Sequence, residues 1–374
     1  MHDSRMSKSG EKQTRRLAPV GIIFAILGLL LFAYTVRKAG AAQIIEGIQR
    51  LGAGFLLVLG FSAMRHTVRS LAWTKCLEPP YNLRFRDAIA ARLMGDALGN
   101  IIPLVSVAVS EPSKAVFVRH RVPLMAGLSA LAIENIFYSL SVVLLIFSGM
   151  TALLLSFSLP TPLHYAAVSS LMVILIIVLL GYLVIRNQWK FLSGALAWLG
   201  NRVTRRSWIE TAGARAQTLE EHIYGFYERN RGRFLSILAL EICFHLAGIA
   251  EVYTTLSFVS ETVAPTLLTA FILESVNRVI NVVFKFVPLR TGVDEYGSGA
   301  LAKVLGFTRA SGVTLAIVRK ARDIFWTTIG VALIVRRGLS LRAAAHQSEE
   351  IAEEVSEDLK LPSTRLPTMR AGSR

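Results

Sequence analysis

"NIIPLVSVAVSEPSKAVFVRHR", residues 100–121, lies where a membrane crossing is due, yet it holds Pro103, Glu111 and Lys114 and ends in basic residues. Asn100 and Pro103 interrupt a helix, and non-helical backbone at membrane depth persists only where protein buries it or where it lines a polar cavity. Charge decides between a crossing and a turn. The leader carries Arg5, Lys8, Lys12, Arg15 and Arg16, and the chain is basic again at Arg65, Arg69, Lys75, Arg84 and Arg86, at Lys114 to Arg121, and from Arg186 to Arg233. The positive-inside rule places all of these on the cytoplasmic side. A full crossing by 88–110 would send the last two stretches outside, so a re-entrant hairpin is expected, entering and leaving from the cytoplasm.

Of the 374 residues, 53% are hydrophobic and 18% charged, a balance that fits a polytopic membrane protein and not an ordinary soluble domain. Apolar runs at 18–36, 51–72, 123–149, 164–185, 233–259, 264–288 and 311–335 reach the roughly 17–25 residues that a bilayer crossing needs. The expected fold is all-α, with about six to eight transmembrane helices and two re-entrant hairpins. The first run exceeds the roughly 7–15-residue core of a signal peptide and reads as a retained span. In contrast to the basic 186–233 stretch, "LPTPLH" at 159–164 has no Lys or Arg and is expected to be a turn on the opposite side. Cys76 and Cys243 stand far apart without metal-ligand spacing, so neither a disulfide framework nor a metal site is expected. The net charge of +16 falls mainly between the apolar runs, which argues for membrane topology and against nucleic acid.

A second stretch, "NVVFKFVPLRTGVDEYGSGALAKVLGFTR" at 281–309, repeats the pattern of the first. Asn100, Pro103, Glu111 and Lys114, followed by Glu134 and Asn135, are matched by Asn281, Pro288, Glu295 and Lys303, followed by Arg319 to Asp323. With "RRGLSLR" at 336–342 placed inside, the second hairpin opens from the other side. An inverted repeat is therefore expected, the arrangement in which broken half-helices meet near the bilayer midplane. The chain divides into a basic leader (1–17), a first membrane half (18–186), a basic linker (187–232), a second half (233–337) and a largely disordered tail (338–374). Within the linker, 189–208 mixes Trp189, Phe191, Leu196 and Trp198 with Lys190, Arg202, Arg205 and Arg206, as an amphipathic helix on the cytoplasmic leaflet would.

Charges inside the spans carry the functional expectation. Arg319, Lys320, Arg322 and Asp323 sit near the middle of the last run. Each costs about 2.5–3.5 kcal/mol at a helix centre, whereas a Leu, Ile, Val or Phe returns only about 0.3–0.6. These charges must face a polar interior or one another, and Arg319 with Asp323 forms an i, i+4 pair. Glu274, Asn277 and Asn281 make a second polar stripe with Arg278 and Lys285 beside it. Glu134, Tyr138 and Ser141 form a third, and Glu241 with His245 a fourth that lacks the further ligand a metal would need. No nucleotide loop, nucleophile elbow or zinc-protease motif occurs, so neither an enzyme nor a cofactor is expected.

"RSLAW" (69–73), the half-helix ending at 100–103, "SEPSKA" (110–115), "VPLRTGVDE" (287–295) and "IVRKARD" (317–323) together resemble the flippase-like transmembrane region of lysylphosphatidylglycerol synthases, in its stand-alone form. Ser110 stands where that family often has glycine, and Glu134 with Asn135 where an arginine is common. The resemblance implies lipid translocation in a bacterial cytoplasmic membrane with both termini inside, and no transferase domain for lipid modification. Lys114, Arg290, Arg319 and Arg322 would then contact a headgroup, with Glu111, Glu134, Glu295 and Asp323 as counter-charges or proton-coupling groups. Asn100, Asn277 and Asn281 would complete the substrate site. The expected partner is a membrane phospholipid or lipid-linked substrate. A homo-oligomer, a structural partnership with a lipid or cell-envelope biosynthetic enzyme, and a membrane-embedded lipid-modifying enzyme stay open as alternatives.

Overall fold

A computed structural model describes residues 30, 33–38, 40–101, 106–186, 225–226, 229–261, 263–284, 287 and 290–337. The helices are α1 (Ala41–Leu51), α2 (Gly54–Cys76), α3 (Phe85–Ile101), α4 (Ser106–Phe117), α5 (Leu124–Ser156), α6 (Thr161–Arg186), α7 (Arg231–Val259), α8 (Leu267–Val283), α9 (Val293–Val304) and α10 (Arg309–Arg336). No strand occurs among the described residues. The leader, Pro103, Lys285, Pro288, the amphipathic stretch at 189–208 and the tail from 338 lie outside them.

Three helices are long and apolar enough to cross a membrane, at Leu124–Ser156, Thr161–Leu180 and Gly232–Val259. On α6 the consecutive residues Leu175 to Leu180 are all exposed, the signature of a helix whose outer face meets hydrocarbon rather than water. The run at 51–72 falls almost wholly within one helix, α2, with a bend at its start. α1 meets α2 at a bend of 75° next to Gly52, whose φ of 40° lies in the left-handed region that glycine adopts without strain. If that bent pair is one crossing, the candidates number four. α10, with 28 residues, has the length but carries the four mid-helix charges.

The two stretches expected to form hairpins hold pairs of short helices of matching size. α3 and α8 each have 17 residues, and α4 and α9 each have 12. Twelve residues rise about 18 Å, well short of a hydrocarbon core of about 30 Å. Lys114, expected in a basic loop, lies inside α4 and is buried. Arg65 and Arg69 likewise belong to the middle of α2 rather than to a loop.

Packing among the eight helices α2–α5 and α7–α10 maps onto itself when the halves are exchanged. α2 lies along α7 at the centre, α3 packs on α10 as α8 packs on α5, and the contacts α2·α3, α3·α4 and α4·α5 recur as α7·α8, α8·α9 and α9·α10. Small residues permit the crossed contacts. A Cβ on Gly330 of α10 would stand 2.3 Å from the Leu93 carbonyl of α3, and one on Gly149 of α5 would stand 2.0 Å from the Ser275 hydroxyl of α8. Between apolar helices in lipid, such close backbone approach replaces the hydrophobic drive that water would supply. Two apolar clusters sit on either side, one around Trp73, Met94 and Leu131 and one around Leu256, Ile272 and Leu301.

Candidate functional site

α2 sets the first group of charges. Arg69 donates through Nε and Nη2 to the two oxygens of Glu134 on α5, at 2.7 and 2.8 Å, and its guanidinium lies 4.0 Å from the Tyr138 ring centroid. Arg92 of α3 donates to the same carboxylate at 3.1 Å. Glu134 is fully buried, a position a carboxylate holds only when cations and donors surround it. Nearby, Lys114 bridges Asp96 and Glu111, both at 2.8 Å, and Asn135 donates to Glu111 at 3.0 Å.

The second half builds a denser group from α7, α8, α9 and α10. Glu274 takes Arg278 one turn along its own helix, and Arg319 of α10 at 3.1 Å. Glu251 of α7 holds Arg65 at 3.1 Å and also Arg322, so one acid ties α2, α7 and α10 together. Arg322 turns its other nitrogens to Asp323 at 2.7 and 3.0 Å. Arg290, in the left-handed region at φ 50°, reaches Asp294 at 3.2 Å and Asp323 at 3.8 Å. Glu295 accepts from the Gly292 backbone N–H at 2.7 Å, capping α9, and pairs with Lys320. The expected Arg319–Asp323 pair is not the one formed. Glu274 offers Arg319 a buried partner across the helix interface, and Asp323 already has two guanidinium groups.

These groups border a cavity of about 910 Å³. Its ionic lining residues are Arg65, Arg278, Arg290, Arg319, Lys320 and Arg322 with Asp96, Glu111, Glu274, Asp294 and Asp323. Its lining also includes apolar residues, Val142 and Ile146 of α5, Val173 and Ile177 of α6, and Val279, Val282 and Val283 of α8. Six cations against five acids leave the lining close to neutral, before Glu251 behind it is counted.

Eight of the eleven residues expected from sequence line this cavity: Asn100, Glu111, Asn277, Asn281, Arg290, Arg319, Arg322 and Asp323. Asn100 donates to Thr327 at 2.9 Å, and the side-chain oxygen of Asn281 has no hydrogen-bond partner. Lys114, Glu134 and Glu295 stand behind the wall, each in the ion pairs given above. Asp96, Glu251 and Asp294 were missed by the sequence reading. A signal existed for two of them: Asp96 precedes Asn100 by four residues, one helical turn, and Glu251 is a charge inside the apolar run 233–259.

A family model described as the lysylphosphatidylglycerol synthase TM region matches residues 18–330. No curated protein and no solved structure matches the chain.

Proposed function

Because the chain belongs to the lysylphosphatidylglycerol synthase TM-region family, a family of multi-pass membrane proteins, we propose that it carries a polar or charged lipid headgroup between the two leaflets. The observation that supports this most is that one cavity is lined by both ionic and apolar side chains. A phospholipid needs both: its headgroup needs donors and counter-charges, while its acyl chains lose nothing against Val282, Ile177 and their neighbours. No bond is made or broken in this reading. The near-neutral lining favours a headgroup in which a phosphate is balanced by an ammonium or accompanied by hydroxyls, over one of high net charge.

The same reading places α3–α4 and α8–α9 as re-entrant hairpins opening to opposite sides, in a bacterial cytoplasmic membrane with both termini inside. The exchange symmetry of the helix packing supports the inverted arrangement, and the basic leader supports the orientation.

The test is leaflet exchange of fluorescent phosphatidylethanolamine, phosphatidylglycerol and a cationic lipid in proteoliposomes. Headgroup-selective exchange in wild type, slowed about tenfold or more by Arg322→Ala through loss of a charged hydrogen bond of about 1.5–3 kcal/mol, is the expected result. Exchange no faster than in empty vesicles for every lipid would sink it.

A further inference from the structure

Glu241 on α7 is fully buried, and neither of its carboxylate oxygens has a hydrogen-bond partner. Among the described residues it is the exception. The other fully buried acids, Glu134, Glu251, Glu274, Asp294 and Glu295, each accept from an arginine or lysine. One turn before it, Ile237 packs into the apolar cluster of Trp73 and Phe137. An ionised carboxylate without donors in such a place costs far more than a neutral carboxyl. The charged and titratable groups that face it are Arg69 and Cys76 of α2, Arg92 of α3 and Glu134 of α5. Both arginines are already turned to Glu134, so Glu241 is left with a proton as its compensation.

Polar side chains stand between this residue and the cavity, although none of them hydrogen-bonds to Glu241. Tyr138 lines the cavity, and its ring lies almost parallel to that of His245, with centroids 6.2 Å apart. His245 follows Glu241 by one helical turn. Its Nε2 is 2.9 Å from the Ser141 hydroxyl, and its Nδ1 has no partner. Arg65, Arg69, Arg278 and Glu274 face it from α2 and α8.

We infer that Glu241 is a proton-binding site that couples headgroup movement to a proton gradient, reached from the cavity by way of Tyr138, Ser141 and His245. This rests on the translocation reading above. A hydronium ion in the cavity gives up its proton, leaving water, and the Glu241 carboxylate becomes a carboxylic acid; release reverses the step. When the proton leaves, a second carboxylate stands beside Arg69, which divides between Glu134 and Glu241 and loosens the bridge from α2 to α5. Protonation thus biases the link between the central helix pair and the first half, the kind of two-state element that a coupled transporter requires.

The experiment uses the full chain in proteoliposomes with fluorescent phosphatidylethanolamine and phosphatidylglycerol, with and without an imposed gradient of about one pH unit. One proton per lipid shifts the steady-state leaflet ratio by up to tenfold under that gradient. Wild type is expected to show the shift, whereas Glu241→Gln, isosteric and outside the cavity, keeps exchange at symmetric pH and loses the shift. A Glu241→Gln protein that still follows the gradient, or a wild type that exchanges lipid but ignores it, overturns the inference. The infrared band of a protonated carboxyl, compared between acidic and alkaline buffer, reads the proton site without any lipid movement. It should be present in wild type and lost in Glu241→Gln, and an unchanged band overturns the site even if no lipid is exchanged. Absence of exchange with the band intact counts against the translocation reading instead.

Discussion

Arg92 on α3 donates to Glu134 on α5 at 3.1 Å, and in the second half the corresponding bridge is built with its charges exchanged. Arg92 and Glu274 are each the eighth residue of their helices, and Glu134 and Arg319 each the eleventh, with Arg319 donating to Glu274 at 3.1 Å. One half compensates a central anion with two arginines, and the other a central acid with Arg278 and Arg319. Removing Glu134 strands two buried cations at once. Glu134→Ala is expected to cost about 3–5 kcal/mol, measured as thermal unfolding in detergent. Glu111→Ala should cost about 1 kcal/mol or less, because Glu111 is partly exposed and Lys114 keeps Asp96 at 2.8 Å. Equal losses would mean that the Glu134 bridge holds nothing together.

Glu295 has two tasks that one substitution separates. Its Oε2 accepts from the Gly292 N–H, and its Oε1 meets Lys320. Glu295→Gln retains an oxygen for the cap but loses the charge, while Glu295→Ala loses both. The alanine variant is expected to be less stable than the glutamine variant by about 0.5–2 kcal/mol, the worth of a helix cap. Chemical unfolding of the two variants side by side checks this, and no difference between them would assign the residue wholly to its ion pair.

Local patterning was enough to find α5, α6 and α7, because an uninterrupted apolar run needs no partner to be recognised. The division into short helices was legible too, since Asn100 and the basic flanks argue against one long helix where α3 and α4 stand as separate elements. Insertion cost pointed to Arg319 and Arg322. What failed were assignments that depend on distant partners. Arg65 is 186 residues from Glu251, and Arg69 is 65 from Glu134. The positive-inside rule weighs loop charges alone and has no means to know that an acid elsewhere makes a buried arginine tolerable. The Arg319–Asp323 expectation failed for the same reason, as helical spacing proposes a neighbour and tertiary packing supplied a better one.

Lipid passage past the apolar residues of the cavity gives a third expectation. Ile177 of α6 lines the cavity yet is half exposed, so a larger apolar side chain there narrows the path without disturbing a packed core. Ile177→Trp is expected to slow leaflet exchange about fivefold, as about 1 kcal/mol of added barrier does, with unfolding unchanged. An exchange rate equal to wild type would place the acyl chains elsewhere.

Gly330 tests the close crossing of α10 on α3, which holds the charged helix against the first half. The nearest atom to an added Cβ is the Leu93 carbonyl oxygen, at 2.3 Å, with the Ala97 methyl at 2.6 Å. A backbone oxygen cannot rotate away as a side chain can, so the helices must separate. Trimming Ala97 to glycine would remove only the second of the two obstacles. Gly330→Ala is therefore expected to cost about 1–3 kcal/mol, the usual penalty of overpacking, and Gly330→Ala with Ala97→Gly should not restore it. Gly60 of α2 has nothing within 4 Å of the same position, and Gly60→Ala should be neutral or stabilising by up to about 1 kcal/mol through helix propensity. Thermal unfolding of the three variants separates these outcomes. If Gly330→Ala unfolds with wild type, the ion pairs of α10 rather than its backbone contact set its distance from α3.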